Sequence, residues 1–250
     1  MRKNTGAAHR TFISVKRNWF LYLMLLVPVT YTVIFKYLPM VGIQIAFRDY
    51  RVVDGIFGSP WAGMKYFKMF FDSPNFIPVL KNTLLLSAYN ILLSFPFAIV
   101  FAVMVNEVSN TKFKKTVQLI SYAPYFISTV VLVAMLMDFT NIRTGLINTF
   151  LGAFGMEPIN FFGEAKYFRS LYVWSNVWQS TGYSAIIYIA ALTGIDPTLY
   201  EAAKIDGATR LQKIRYVDLP CLKPTIIILL IVSVGQIMNL GFEKAFLMQT

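Results

Sequence analysis

The residue types able to do chemistry fall into two groupings. The densest is Glu201-Ala202-Ala203-Lys-Ile-Asp206-Gly207-Ala208, followed by a basic amphipathic stretch to Leu219-Pro220 and then Pro224. Two acids, two slim alanines and a glycine free to take a positive φ suit a bent, protruding contact surface better than a catalytic centre. The second grouping lies within an apolar run: Trp174, Asn176, Trp178, Gln179, Ser180 and Tyr183. There Asn176, Gln179 or Ser180, and Tyr183 recur at helical spacing and share one face. Ser233, Gln236 and Asn239 mark a similar face further on, with Tyr89, Asn90, Tyr122 and Tyr125 as weaker candidates. Rings beside amides and hydroxyls are what a sugar requires, a stacking surface with polar partners in a largely preformed cavity. The same polar groups can equally hydrogen-bond neighbouring helices.

Several chemistries are excluded. One cysteine, Cys221, rules out an internal disulfide; with one histidine, His9, no metal-ligand cluster exists. No GxxxxGK[ST], HExxH or GxSxG pattern occurs, so any ATP used must be bound by another chain. A net charge of +11 over 250 residues would point to nucleic acid in a soluble protein. However, the chain is 56% hydrophobic and 14% charged, against about 45–50% and about 25% in soluble domains. The apolar residues fall in long uncharged runs, which predicts a polytopic membrane protein without nucleic-acid partners.

Five windows approach the length of roughly 20 residues that a bilayer demands. They lie at about 19–45, 82–106, 116–137, 170–195 and 224–242, and all should be helical because lipid offers no partner to a backbone amide. Pro28, Pro96 and Pro124 fall inside them and predict kinks. The first run follows a basic segment (Arg2, Lys3, Arg10, Lys16, Arg17) but is too long, and too far from any small-residue cleavage site, for a signal peptide. It reads as an uncleaved span behind a cytoplasmic tail, residues 1–18. The tail, the 107–115 loop and the 196–223 loop carry 13 Lys/Arg; the two longer loops on the other side carry 8. The positive-inside rule then places the N-terminus and the 196–223 loop in the cytoplasm. The outer loops are rich in Gly, Pro and aromatics (Phe57, Trp61, Tyr66, Phe67, Phe70, Phe71, Phe161, Phe162), either a docking surface for an extracellular partner or an interfacial aromatic belt.

Within the 196–223 loop, Leu199–Asp206 favours a short helix, Gly207 a sharp turn and Thr209–Val217 a second helix. Leu211, Ile214 and Val217/Asp218 follow three-to-four spacing, and Pro220 and Pro224 should end this helix before the fifth span. Here the sequence resembles the EAA loop of permease subunits of binding-protein-dependent ABC importers. Nine positions match that pattern: Glu201, Ala202, Ala203, Asp206, Gly207, Ala208, then eleven residues on Leu219, with Pro220 and Pro224. Ile214 stands where the family usually has an aromatic and Val217 where it has isoleucine. The stretch Phe20–Tyr50 with Pro39-Met-Val-Gly42, Asn82-Thr83, and Ala123-Pro124-Tyr125 are similar to the carbohydrate-uptake branch, which includes the maltose-type and oligosaccharide-type permeases.

The resemblance implies an all-α, type I importer permease of one transmembrane domain over residues 19–250, in a bacterial cell membrane. Family members have six or more spans, so a sixth is expected beyond Thr250. It implies two cytoplasmic ATPase subunits holding the ATP and magnesium, with no cofactor in this chain. It further implies an extracellular solute-binding protein and a second permease subunit forming a heterodimer. Glu201, Ala202, Ala203, Asp206, Gly207 and Ala208 would couple to the ATPase; Asn176, Gln179, Tyr183, Ser233 and Gln236 would contact the sugar. Gln236 departs from the aromatic of the maltose-type pattern. The rivals are an ion-coupled secondary sugar carrier and a membrane-bound transferase. The first lacks the intramembrane carboxylates such carriers use, and the second lacks a polar catalytic cluster.

Overall fold

The computed structural model describes residues 17–239 and 241–249. The basic tail up to Lys16 with the N-terminus, Thr250 and any sixth span therefore lie outside the described residues. The regular elements of the described residues are all helices, joined by turns and loops, apart from one isolated bridge between Arg48 and Trp61. It divides into two units, Met1–Ile77 and Pro78–Thr250.

The first unit holds α1 (Trp19–Thr32), which is apolar on every side and buries no residue. That pattern belongs to a helix surrounded by lipid or by another protein. The helix runs through Pro28 and continues as a π turn, Val33–Tyr37, and a 3₁₀ segment, Leu38–Phe47. The outer segment beyond it is a built structure. The Arg48 guanidinium donates to the carbonyls of Phe57 (3.1 Å) and Ser59 (2.8 Å) and lies over the Trp61 ring. Asp49 accepts from Lys65 and Tyr66, at the start of α2 (Lys65–Phe71). These two hydrogen bonds, Tyr66 foremost, hold the Asp49 carboxyl below its usual range.

The second unit is built round two long helices, α3 (Phe76–Asn106, from Pro78 on) and α7 (Ala165–Thr193). They share one core cluster, in which Ala98, Ala102 and Ala185 are almost fully buried, with Leu192, Tyr188 and Leu222 beside them. Gly182 is the tightest point, because a Cβ there would collide with the Ser121 backbone of α4 (Thr111–Tyr122). A second cluster, Leu86, Val133, Tyr172, Val173, Val177 and Met248, joins α5 (Thr129–Phe139) to α7. Beyond α5, α6 (Leu146–Ala153) is pinned by buried Asn148, whose amide nitrogen lies 3.0 Å from the carbonyl of Ile159 and whose oxygen accepts from the Ile159 N–H.

Two sequence expectations are corrected here. The third window is not one helix: α4 and its 3₁₀ extension, Ala123–Phe126, meet α5 at 100°. Pro124 lacks an N–H, Ile127 is extended and Ser128 caps α5 afresh through the Val131 N–H. The fifth window neither starts at Pro224 nor reaches Phe242. A continuous helical rod runs Arg210–Gly235, and Pro220 and Pro224 do not break it. A π turn at Ile214–Asp218 accounts for Pro220: Leu219 N–H bonds the Ile214 carbonyl five residues back, and Pro220 then sits in the first turn of α10 (Leu219–Gly235), where its missing N–H is harmless, while Pro224 lies inside that helix. Trp19–Phe47, Phe76–Asn106 and Arg210–Gly235 are long and apolar enough to cross a bilayer, and the bent pair forms a fourth if counted as one span. α7, with 29 residues, has the length but carries the polar stripe.

Candidate functional site

The 196–218 segment folds as a helical hairpin through local chemistry. Asp196 caps α8 (Pro197–Ile205) by accepting from the Thr198 N–H at 3.0 Å, with Pro197 in the first turn. That backbone hydrogen bond holds the Asp196 carboxyl below its ordinary range. The helix ends in a Schellman motif: Ala208 N–H returns to the Ala203 carbonyl at 2.9 Å and Gly207 N–H to Lys204 at 3.2 Å, with Gly207 at φ +70°. Thr209 then opens α9 (Arg210–Lys213) with a complete capping box to Gln212. Glu201, Ala202, Asp206 and Gly207 are exposed, and Ala203 and Ala208 half-buried, so all six residues expected to couple lie on α8 and the turn after it. Ile205 is 86% and Leu211 76% exposed beside them, an apolar tip. Leu211 was expected to share one apolar face with Ile214 and Val217/Asp218. Instead it lies one turn further toward the tip than Ile214, which packs against the main core.

The hairpin is tied at its base. Buried Asp218 accepts through Oδ1 from the Tyr200 hydroxyl, with the Asn106 side chain alongside. Burial first, then the Asp218 carboxylate, raise the Tyr200 hydroxyl well above its usual range. Lys213 lies 3.6 Å from Glu107, at the end of α3. Tyr200, Asp218 and Asn106 were not singled out from sequence, because only tertiary packing brings them together.

The second feature is a cavity of about 550 Å³ between α3, α7 and α10. Ser87, Asn90 and Ser94 come from α3, Tyr183, Ser184 and Tyr188 from α7, and Ser233, Gln236 and Asn239 from α10 and the turn after it. Tyr125 stacks flat on Tyr183, with centroids 3.7 Å apart and planes within 4°. Of the five residues expected to contact sugar, Tyr183, Ser233 and Gln236 line this cavity. Asn176 stands behind it, donating to Asn90 at 2.8 Å. Gln179 does not line it: its amide donates to the Ile127 carbonyl at 2.8 Å, supplying the partner which the broken helix frees. Asn90 and Tyr125, weaker candidates from sequence, are both lining residues, whereas Ser87, Ser94, Ser184 and Tyr188 were missed. The signal for Ser87, Asn90 and Ser94 was present as a three-to-four polar spacing in an apolar helix. Ser233 satisfies its hydroxyl on the Leu229 carbonyl, the usual local solution in an apolar helix.

A helical membrane protein with a capped helical hairpin and a polar cavity between its helices has the architecture of an importer permease. A model of the binding-protein-dependent transport system inner membrane component family matches residues 83–249. The chain belongs to that family: it is an integral inner-membrane permease of an ABC importer, and as a permease subunit it is not itself an enzyme. Membership implies a binding protein and an ATPase as partners. Among its relatives, the polygalacturonan/rhamnogalacturonan transport system permease protein YteP of Bacillus subtilis (strain 168) is 44% identical over 239 residues, covering 96% of this chain and 74% of that protein. Protein LplB of the same organism is 40% identical over 235 residues, covering 94% and 74%. A crystal structure of a bacterial ABC transporter involved in the import of the acidic polysaccharide alginate matches with a TM-score of 0.88 at 40% identity, covering 96% of this chain and 81% of that one. The alginate transporter in complex with an alginate pentasaccharide-bound periplasmic protein matches with a TM-score of 0.87 at 39% identity, covering 96% and 80%.

Proposed function

We propose that this permease imports oligosaccharides derived from an acidic polysaccharide. The single observation that carries the reading is the likeness, at about the same identity, to a polygalacturonan/rhamnogalacturonan permease and to an alginate importer. Both names describe uronate-containing chains. The cavity suits such a substrate. Its described lining offers a tyrosine stack, three serine hydroxyls on α3 and α7, and amides from Asn90, Gln236 and Asn239, and no carboxylate that would repel an anion.

In this proposal Tyr183, Ser233 and Gln236 contact the sugar and Asn176 positions Asn90. The hairpin, with Glu201 and Gly207 foremost, seats in a groove of a cytoplasmic ATPase that holds ATP and magnesium, while this chain holds no cofactor. Its exposed Ile205 and Leu211 supply the apolar contact that such a helix-in-groove docking needs. The N-terminus is cytoplasmic, a second, distinct permease completes the channel, two ATPase subunits drive it, and an extracellular binding protein delivers the sugar. The test is uptake into vesicles carrying the assembled transporter. Oligogalacturonates should accumulate on ATP, should outcompete uncharged maltotriose, and should continue after ionophores collapse the ion gradients. Uptake that follows an ion gradient without ATP would instead establish a secondary carrier.

A further inference from the structure

We propose that Asn106, Tyr200 and Asp218 form a polar pivot that makes the coupling hairpin and the cavity walls move as one body. The inference rests on the proposed coupling role of the hairpin. It starts from an oddity of burial: Asp218 is fully inaccessible, yet its Oδ2 has no hydrogen-bond partner. A carboxylate in a protein interior is costly unless donors surround it, and here Tyr200 supplies the hydrogen bond to the other oxygen. Such a group adds little to stability, so its value must lie in what it joins.

It joins three elements. Tyr200 belongs to α8, the outward arm of the hairpin, immediately before Glu201. Asp218 ends the π turn of the Arg210–Gly235 rod. Asn106 is the last residue of α3. Each of the two long elements reaches the cavity at its other end. α3 carries Ser87, Asn90 and Ser94; the rod carries Ser233, with Gln236 next to it. Around the pivot the contacts are stiff: Leu222 is fully buried, Ile214 packs beside it, and Lys213 pairs with Glu107. A push on α8 therefore reaches both cavity walls through one junction, hydrogen-bonded from Tyr200 to Asp218 in the rod and ion-paired from Lys213 to Glu107 at the end of α3. The π turn at Ile214–Asp218 is what points Asp218 inward, since it shifts the register of every later residue of the rod. These are positioning residues; none touches the cavity.

The experiment uses the assembled transporter in proteoliposomes, with trigalacturonate as probe and its loaded binding protein outside. Tyr200→Phe removes the hydroxyl and strands the buried carboxylate. Sugar moved per ATP hydrolysed should fall about tenfold, within the usual range of coupling between sites, while basal ATP hydrolysis stays within about twofold of wild type. Adding Asp218→Asn to Tyr200→Phe removes the stranded charge and should recover most of the ratio, a rescue that mere loss of packing would not give. Should Tyr200→Phe fail to assemble, Asn106→Ala, which removes the amide beside the Tyr200 hydroxyl at the end of α3, is expected to lower the same ratio. Glu201→Ala alters the docking surface and leaves the pivot intact. A normal ratio in Tyr200→Phe beside a lowered one in Glu201→Ala overturns the pivot alone. Normal ratios in both overturn the coupling role on which it rests. A double variant no better than Tyr200→Phe also overturns the pivot.

Discussion

The hairpin and the cavity are stabilised in opposite ways. The hairpin is made of contacts between near neighbours in sequence: Asp196 to Thr198, Ala208 back to Ala203, Thr209 to Gln212. The cavity has almost no local structure of its own. Its polar groups come from three helices far apart in the chain, and some are satisfied locally or by a neighbour, as Ser233 is on Leu229, Ser94 on Asn90 and Asn90 by Asn176. The difference teaches a division of tasks. In the proposed transport cycle, a surface that must keep one shape while pushing is specified by caps and a glycine, whereas a surface that must open and close is specified by what several helices bring to it.

That contrast can be broken at several points. The largest effect should come from Gly207→Pro. Proline locks φ near −65°, so the +70° of the Schellman turn is unattainable; ATP hydrolysis stimulated by loaded binding protein should fall by about tenfold or more, a loss of about 1.4 kcal/mol in coupling per factor of ten. The fall should be uniform across every sugar tested. Next is Tyr183→Ala, which removes half of the stacked pair with Tyr125. A ring contact of this kind is worth about 0.5–1.5 kcal/mol, so the ranking of oligogalacturonate against maltotriose in transport assays should shift severalfold, with basal hydrolysis unchanged.

Gln179→Ala sharpens the comparison, because sequence placed this residue among the sugar contacts and the structure places it on the Ile127 carbonyl. Leaving that carbonyl without a partner should cost about 1–3 kcal/mol. A thermal melt should drop by several degrees while the sugar ranking stays as in wild type. A changed ranking would return Gln179 to the cavity.

The smallest effect concerns pH at the hairpin. The Asp196 carboxyl is held below 3.8, its unperturbed value, by the Thr198 N–H. A depressed native value means that the cap's contribution is complete above the unperturbed value and lost only as pH falls through the native one. Coupling should therefore be flat between about pH 6 and 8 as far as this cap is concerned, and Asp196→Asn, which keeps an accepting oxygen, should match wild type there. A decline in coupling with Asp196→Asn at neutral pH would show that the charge of Asp196, beyond its role as a cap, is used.

The same contrast explains what was readable in the sequence. Glu201 to Ala208, Thr209 and Gly207 announce their structure because caps and turns are set by residues a few positions apart, and the helix and turn they form match the expected ones. The rod defied expectation because a π turn, which has no composition signal, absorbed Pro220. In the cavity, Tyr183 and Ser233 were visible from helical spacing, but spacing cannot tell which side of a polar stripe faces a void. Gln179 shares the face of Tyr183 and still turns to a carbonyl that exists only because Pro124 helps to break the preceding helix. Tyr200 and Asp218 are 18 positions apart and gave no sign of meeting.

One measurement addresses the central claim most directly. Stimulated ATP hydrolysis is recorded for the assembled transporter with a panel of uronate and neutral oligosaccharides, for wild type, Gly207→Pro and Tyr183→Ala. The hairpin variant should lower the response to every sugar by one common factor, and the cavity variant should change the ratios between sugars. Ratios altered by Gly207→Pro, or a purely uniform loss from Tyr183→Ala, would contradict the separation of the pushing surface from the selecting one.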